Sequence, residues 1–341
     1  MQSGNGENQV IERVSFLSTH GKGLKLNLKL IDEYLKFDRQ FTTDYFMTTL
    51  SNVTGAEATI LKKEIEGYVD DAQCVICADL SMPEKYTPTS FEQKRIYIAE
   101  PVDILFDIIE QSLEQGEELV PKKSLDGYNI IISPCTAFDD IIKKKYRTKH
   151  AKLVTGIGLP VVDLVCNRAQ KVKAKERFLC KVPAARGKKI MLLWLNGTEG
   201  DWELTGFINS IPDDVFVLLN QIEPLKKVPN LPLHINQKLF CFTDMFKFEQ
   251  LIIVADTLVT NVCFMAQYYA PTGKPFMVVN GDTSSFLRQF AKRYPSLCID
   301  SVMQANKIWD STYDSKSAEE YRKYYCPVPT SDSVQRITAL I

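Results

Sequence analysis

The chain has few histidines, little net charge and no long apolar run, and each shortage narrows what it can be. Only three histidines stand among 341 residues, His20, His150 and His234, so an imidazole general base has few candidates. The formal net charge is −1, which leaves no global field drawing the protein toward nucleic acid or membrane; any such attraction is local. The longest uninterrupted apolar stretch, Ile190 to Leu195, is strand length and far short of the roughly 18 residues that cross a bilayer. No short internal repeat and no low-complexity tract occurs. Residues 1–9 are polar and glycine-rich, which reads as a disordered start without a secretory signal.

Nine cysteines are present, most of them inside apolar runs (Cys74, Cys77, Cys166, Cys180, Cys241 and Cys263 among them). That placement suits reduced, buried thiols in a cytosolic protein. Cys74 and Cys77 form a CxxC, but residues three apart on a strand face opposite ways. No second pair or nearby histidine completes a zinc site. No D-x-D sits between strands, so neither a metal nor a cofactor is expected.

What is present is a rhythm. Short β-branched runs such as Arg13–Ser18, Gln73–Asp79, Lys94–Ala99, Tyr128–Ser133 and Lys152–Gly156 alternate with amphipathic helical stretches such as Leu26–Lys36 and Thr136–Tyr146. The rhythm resumes with strands at Lys188–Asn196, Asp214–Asn220, Leu239–Phe242, Leu251–Thr260 and Pro275–Val279. Helices are expected at Asp201–Ser210, Met245–Gln250, Phe264–Pro271, Ser284–Tyr294 and Ser317–Tyr325. Apolar strands alternating with helices predict parallel sheets covered on both faces, and two series predict two sheets. The expected division is 10–166, a basic linker at 167–187, and 188–341 with a C-terminal helix. Between Asn167 and Lys189 nine basic residues face one acid, Glu176. That run reads either as a patch for an anionic membrane surface or as a solvated charged face.

Leu251–Asp282 (LIIVADTLVTNVCFMAQYYAPTGKPFMVVNGD) resembles the donor-site segment of the CDP-glycerol glycerophosphotransferases, the teichoic-acid polymerase family. In that family an A-D-x-L-[IV]-T strand leads through a polar turn and a helix to a G-K-P and another strand. Leu153–Leu164 resembles its G-x-P-x-x-D element, Ser15–Leu35 its first strand, loop and helix, and Tyr128–Ile142 the strand and helix before the G-x-P. The order holds over roughly residues 13–290. The resemblance implies an α/β protein of the GT-B type, with two Rossmann-like parallel-sheet domains facing a cleft. It also implies transfer from a nucleotide-linked donor to a glycan or lipid-linked acceptor, with no role for nucleic acid. Three polar elements of the family are altered. Its tryptophan-histidine-glycine is Ile98–Ile104 (IAEPVDI) here, its histidine-proline is Glu223-Pro224, and its D-Y-S-S is Asn261-Val262-Cys263-Phe264.

Transfer from a nucleotide donor needs a cradle for phosphate and a base for the acceptor. For phosphate, turns before helices are the candidates. They are His20-Gly21-Lys22-Gly23, Thr155-Gly156-Ile157-Gly158 and Asn196-Gly197-Thr198-Glu199-Gly200, joined by Thr260, Asn261, Asp282 and Thr283. Each glycine could equally serve turn geometry, and Asp282 and Thr283 could cap a helix. For the base, His20 leads the histidines; Glu100 stands where the family's histidine element is missing, and reads equally as a plain strand exit. Glu223 could accept from a ribose or sugar hydroxyl, or be a solvated loop carboxylate. Three functions remain open: a cytoplasmic transferase, at the inner face of the membrane if the basic run docks there; a non-catalytic GT-B-like binding or scaffold protein; and a nucleotide-sugar epimerase.

Overall fold

The computed structural model describes residues 13–18, 26–39, 41–47, 69–78, 93–99, 127–145, 151–195, 204–220, 237–242, 245–280, 285–310 and 313–341. Within them the β-branched runs form two six-stranded sheets, and every strand pair is parallel. The first contains β1 (Arg13–Ser18), β2 (Thr42–Met47), β3 (Cys74–Cys77), β4 (Lys94–Ile98), β5 (Ile130–Ile132) and β6 (Lys152–Val154), in the order β2-β1-β3-β4-β5-β6. The second contains β7 (Lys189–Trp194), β8 (Val215–Leu219), β9 (Leu239–Cys241), β10 (Thr257–Thr260), β11 (Phe276–Val279) and β12 (Cys298–Ile299), in the order β12-β11-β10-β7-β8-β9. Counted from its own first strand, the second sheet has the 3-2-1-4-5-6 order of a dinucleotide-binding fold. Both sheets are covered on two faces, as the apolar runs require: all residues of β3, β8, β10 and β11 are buried.

Ten α-helices are described. They are α1 (Leu26–Asp38), α2 (Thr136–Lys145), α3 (Pro160–Cys166), α4 (Arg168–Lys181), α5 (Leu204–Ser210), α6 (Phe248–Val254), α7 (Cys263–Tyr269), α8 (Ser285–Arg293), α9 (Ser315–Tyr325) and α10 (Ser333–Thr338). No helix among the described residues is long and apolar enough to cross a membrane. One apolar cluster runs from the first sheet through α3 and α6 onto one face of the second sheet. A smaller cluster, with Met191, Leu193, Phe207 and Val259, covers the opposite face. Successive residues of β7 alternate between the two, Ile190 and Leu192 in one and Met191 and Leu193 in the other.

Three expectations change. Leu251–Val254 was expected to open a strand; it ends helix α6, and β10 begins only at Thr257. The run is apolar throughout because α6 is buried both on the sheet and under α3 and α4, and a short run buried all round carries no period to distinguish helix from strand. The basic stretch 167–187 is mostly helix α4, opened by Asn167, whose Oδ1 accepts from Ala169 N (2.9 Å) and Gln170 N (3.2 Å). Finally, the chain after residue 188 builds the second sheet and then returns to the first. Helix α9 packs on α2, with the Tyr324 hydroxyl donating to Asp140 at 2.8 Å, and α10 packs on α1 and α3.

Candidate functional site

In open parallel sheets ligands bind at the carboxyl ends of strands, where neighbouring connections run in opposite directions. In the second sheet β7 is that strand, with β8 on one side and β10 on the other. Its exit is clamped. Asn220, just past β8, accepts from Leu195 N (2.8 Å) and donates to Leu195 O (2.7 Å), which fixes both backbone groups of the first residue after β7. Nothing in the apolar run DVFVLLN marks that asparagine; its only signal is a polar amide ending a buried strand. Asn220→Ala should cost about 2 kcal/mol, because two half-buried backbone groups lose their partner. Urea unfolding checks this, and an unchanged midpoint would show the clamp to be dispensable.

The exit of β10 is shaped by Thr260, which is fully buried. Its Oγ1 accepts from Val262 N at 2.9 Å, a hydroxyl turn that leads the chain into α7. Asn261, buried at 7% exposure, follows it. Of the expected site residues, these two lie among the described ones, and Thr260 has its hydroxyl engaged in the turn. His20, Gly21, Gly23, Glu100, Asn196, Gly197, Thr198, Glu223, Asp282 and Thr283 lie outside the described residues, as do His150 and His234. The strands that precede them in sequence are β1 for His20–Gly23, β4 for Glu100, β7 for Asn196–Thr198, β8 for Glu223 and β11 for Asp282. In the first sheet β1 occupies the equivalent reversal, between β2 and β3. No group of three or more His, Cys, Asp or Glu suited to a metal occurs among the described residues. The CxxC lies wholly buried in β3, and burial pushes the Cys74 thiol up to about 12.

Several residues of the resembled motifs hold the frame. Asp256, of the A-D-x-L-V-T segment, accepts from Ile190 N at 2.9 Å and lies 3.8 Å from Lys175 Nζ, tying the starts of β7 and β10 to α4. Lys274, of the G-K-P, donates to the carbonyls of Ile252 (3.1 Å), Ile253 (2.9 Å) and Ala255 (2.5 Å), the orphan acceptors at the end of α6. Burial, aided by Lys171, lowers its ammonium from 10.5 to about 8. Between those values the unfolded chain binds more protons than the folded one, so the folding cost of this charge is full below about pH 8 and is relieved as pH rises. The stability of the wild type relative to Lys274→Met should therefore grow between about pH 8 and 10, followed by thermal unfolding at each pH. A pH-independent difference would refute it.

The Thr155–Gly158 turn is not an open phosphate cradle at its end. Gly158 has φ +75°, and a Cβ there would lie 2.7 Å from Val328 O and 2.8 Å from Thr330 Oγ1. The C-terminal segment fills the space. Asp163, the last residue of G-x-P-x-x-D, holds that segment, accepting from Thr330 N (2.7 Å) and Ser333 N (2.8 Å). Across the two halves Asn27 in α1 is buried at 1% exposure; it accepts from Val161 N (3.0 Å) and donates to the Tyr268 hydroxyl (3.3 Å) in α7, the helix that follows the Thr260 turn.

The whole arrangement is similar to known proteins. No protein-family profile matches the chain. The teichoic acid poly(ribitol-phosphate) polymerase of Bacillus spizizenii (strain ATCC 23059 / NRRL B-14472 / W23) is 24% identical over 146 residues, 40% of this chain and 24% of that protein, so the chain spans about a quarter of that relative's length. Among solved structures, the wall teichoic acid polymerase TagF superposes with a TM-score of 0.69 at 13% identity, over 96% of this chain and 88% of that one. A UDP-GlcNAc 2-epimerase from Neisseria meningitidis bound to UDP-GlcNAc gives 0.55 at 12% identity, over 96% and 98%. The fold is GT-B, and the resemblance to teichoic acid polymerases is found in both sequence and structure.

Proposed function

We propose that the chain is a GT-B transferase that moves a sugar or polyol-phosphate from a nucleotide-linked donor onto a cell-surface glycan or polymer, on the cytoplasmic side of the membrane. The observation that carries the reading is the sheet order. It puts the reversal points of both sheets at the strands that lead into the polar, glycine-bearing segments, β1 before His20–Gly23 and β7 before Asn196–Thr198. In this reading 10–166 is the acceptor side, 167–187 the connection and 188–341 the donor side, with α9 and α10 returning to brace the first half. In this reading the donor phosphates take backbone N–H groups of Asn196, Gly197 and Thr198, with Thr260 and Asn261 in the same set. Asp282 and Thr283 after β11 and Glu223 after β8 complete the donor side, with Glu223 accepting from a sugar or ribose hydroxyl. In this reading Gly21 and Gly23 belong to the phosphate-binding set, and His20 or Glu100 removes the acceptor proton. Neighbouring structures support a nucleotide donor: TagF was solved after soaking with CDPG, and the epimerase with UDP-GlcNAc. Membrane contact through the basic segment belongs to the same proposal, supported by its charge.

One observation favours the non-catalytic alternative. At the head of α7, where the resembled family has polar D-Y-S-S, Val262 and Phe264 stand partly buried against the apolar core. A thermal-shift series with CDP, UDP, GDP and CDP-glycerol decides between the two. A ligand at about 100 times its Kd stabilises the native state by about 2.7 kcal/mol, so a nucleotide donor should raise Tm clearly. A shift with cytidine nucleotides supports a CDP-linked donor, and a shift with UDP or GDP alone redirects the donor class. No shift with any of them leaves a scaffold.

A further inference from the structure

Of the 14 residues of helix α4 only Phe178 is buried. The helix carries six basic residues against one acid, Glu176. They do not share one face. Lys175 is drawn to Asp256 (3.8 Å), whereas Lys173, Arg177 and Lys181 line a groove of about 560 Å³ between α4 and α6. The floor of that groove is apolar, with Phe178 and Phe246 in ring contact at 5.3 Å. Lys181 Nζ lies 5.3 Å from the centre of the Phe246 ring. Glu249, which also lines the groove, is buried at 8% exposure, while the three cations are exposed and none forms an ion pair among the described residues.

Residues 173, 177 and 181 are spaced four apart, so the cations form a row that rises about 6 Å and winds about 40° round the helix at each step. Regular charge along a concave, apolar-floored track has a definite complement. A single small anion is too short to span all three, which stretch over about 12 Å of helix. A thread whose negative charges recur at a comparable step meets all three, and lays its carbon linkers on the phenylalanine floor.

We propose that the α4–α6 groove binds an extended phosphate-linked polyanion, the growing polymer that the transferase reading supplies as acceptor; the proposal rests on that reading for the identity of the thread. The test measures binding of a fluorescent linear poly(glycerol phosphate), a carbon-linked polyphosphate, by anisotropy across a salt series. It compares the wild type with Lys173→Gln/Arg177→Gln/Lys181→Gln, and with the control Arg168→Gln/Lys171→Gln/Arg186→Gln, which removes the same charge outside this groove. All six side chains are exposed, and equal Tm values verify folding. The groove variant should bind at least about tenfold more weakly, with a salt slope reduced by about 2 to 3, while the control stays within about twofold of the wild type. Equal losses in both variants, or no polyphosphate binding by the wild type, overturn the proposal. So does binding to phosphatidylglycerol vesicles that needs the three groove cations when polyphosphate does not bind; the occupant is then a membrane. The nucleotide shift is read on the same samples. If it is absent while the groove still binds polyphosphate, the donor reading fails and the groove stands; the reverse result fails the groove alone.

Discussion

Asp163→Ala should destabilise the protein by about 3 kcal/mol, since it strips the partner from two backbone N–H groups at once. Asp163 reaches out of α3 to accept from Thr330 N and Ser333 N, and it lies 3.2 Å from the Thr330 hydroxyl. Ser333 is the first residue of α10, whose own N-cap Asp332 makes no side-chain cap bond. The carboxylate therefore caps α10 from another part of the chain, and its negative charge suits a helix start. Gly158→Ala should act on the same contact. The backbone there has φ +75°, and the new methyl would meet Val328 O at 2.7 Å, a main-chain atom with little freedom to yield. The left-handed conformation alone costs a residue with a Cβ about 1–2 kcal/mol. Limited proteolysis reports the site: both variants should release the segment after Cys326 to cleavage earlier than the wild type, and Asp163→Asn, which keeps one acceptor oxygen, should fall between. If Asp163→Ala unfolds in urea at the wild-type midpoint, the latch is not a source of stability.

The same latch shows what the sequence reveals and what it hides. The strands were legible because a parallel sheet buries both faces, and runs such as VFVLL and KIMLLW have no other plausible place. After α7 the chain makes a 3-10 turn, Ala270–Thr272, which Gly273 closes at φ +79°. Helix α6 was misread because burial on every side erases the period that distinguishes helix from strand. The site was less legible than the fold, for a physical reason. Short helices here borrow their caps from remote residues: α3 from Asn27, 134 positions away from Val161, and α10 from Asp163, 170 positions away from Ser333. Lys274 closes α6 in the same way, 19 positions beyond Ala255. A motif read along the chain carries no record of such partners. G-x-P-x-x-D and G-K-P were recognised by their resemblance to a transferase segment, and in this structure Gly158, Asp163 and Lys274 hold elements together.

Asn27 links frame and site, and Asn27→Ala should cost about 2 to 4 kcal/mol. Its carbonyl oxygen accepts from Val161 N, one of the donors at the start of α3 that no intrahelical bond satisfies, and Leu159 at the N-cap offers no side-chain bond. Its amide nitrogen donates to the Tyr268 hydroxyl, in the helix that begins just past Thr260 and Asn261. The alanine variant leaves a buried N–H unpaired and cuts the link to Tyr268. Tyr268→Phe removes that second bond and keeps the ring beside Phe248, 5.9 Å away between centres, so its cost should be about 1 kcal/mol. In a double-mutant cycle the pair should show coupling of about 1 kcal/mol. The functional consequence separates linkage from stability alone. If Asn27 holds α7 in register, Tyr268→Phe should weaken nucleotide binding several-fold with little loss of Tm, because α7 carries the turn at the carboxyl end of β10. An additive cycle with unchanged nucleotide affinity would mean that the two halves are held together elsewhere, through the apolar packing of α3 against α6 and of α9 against α2.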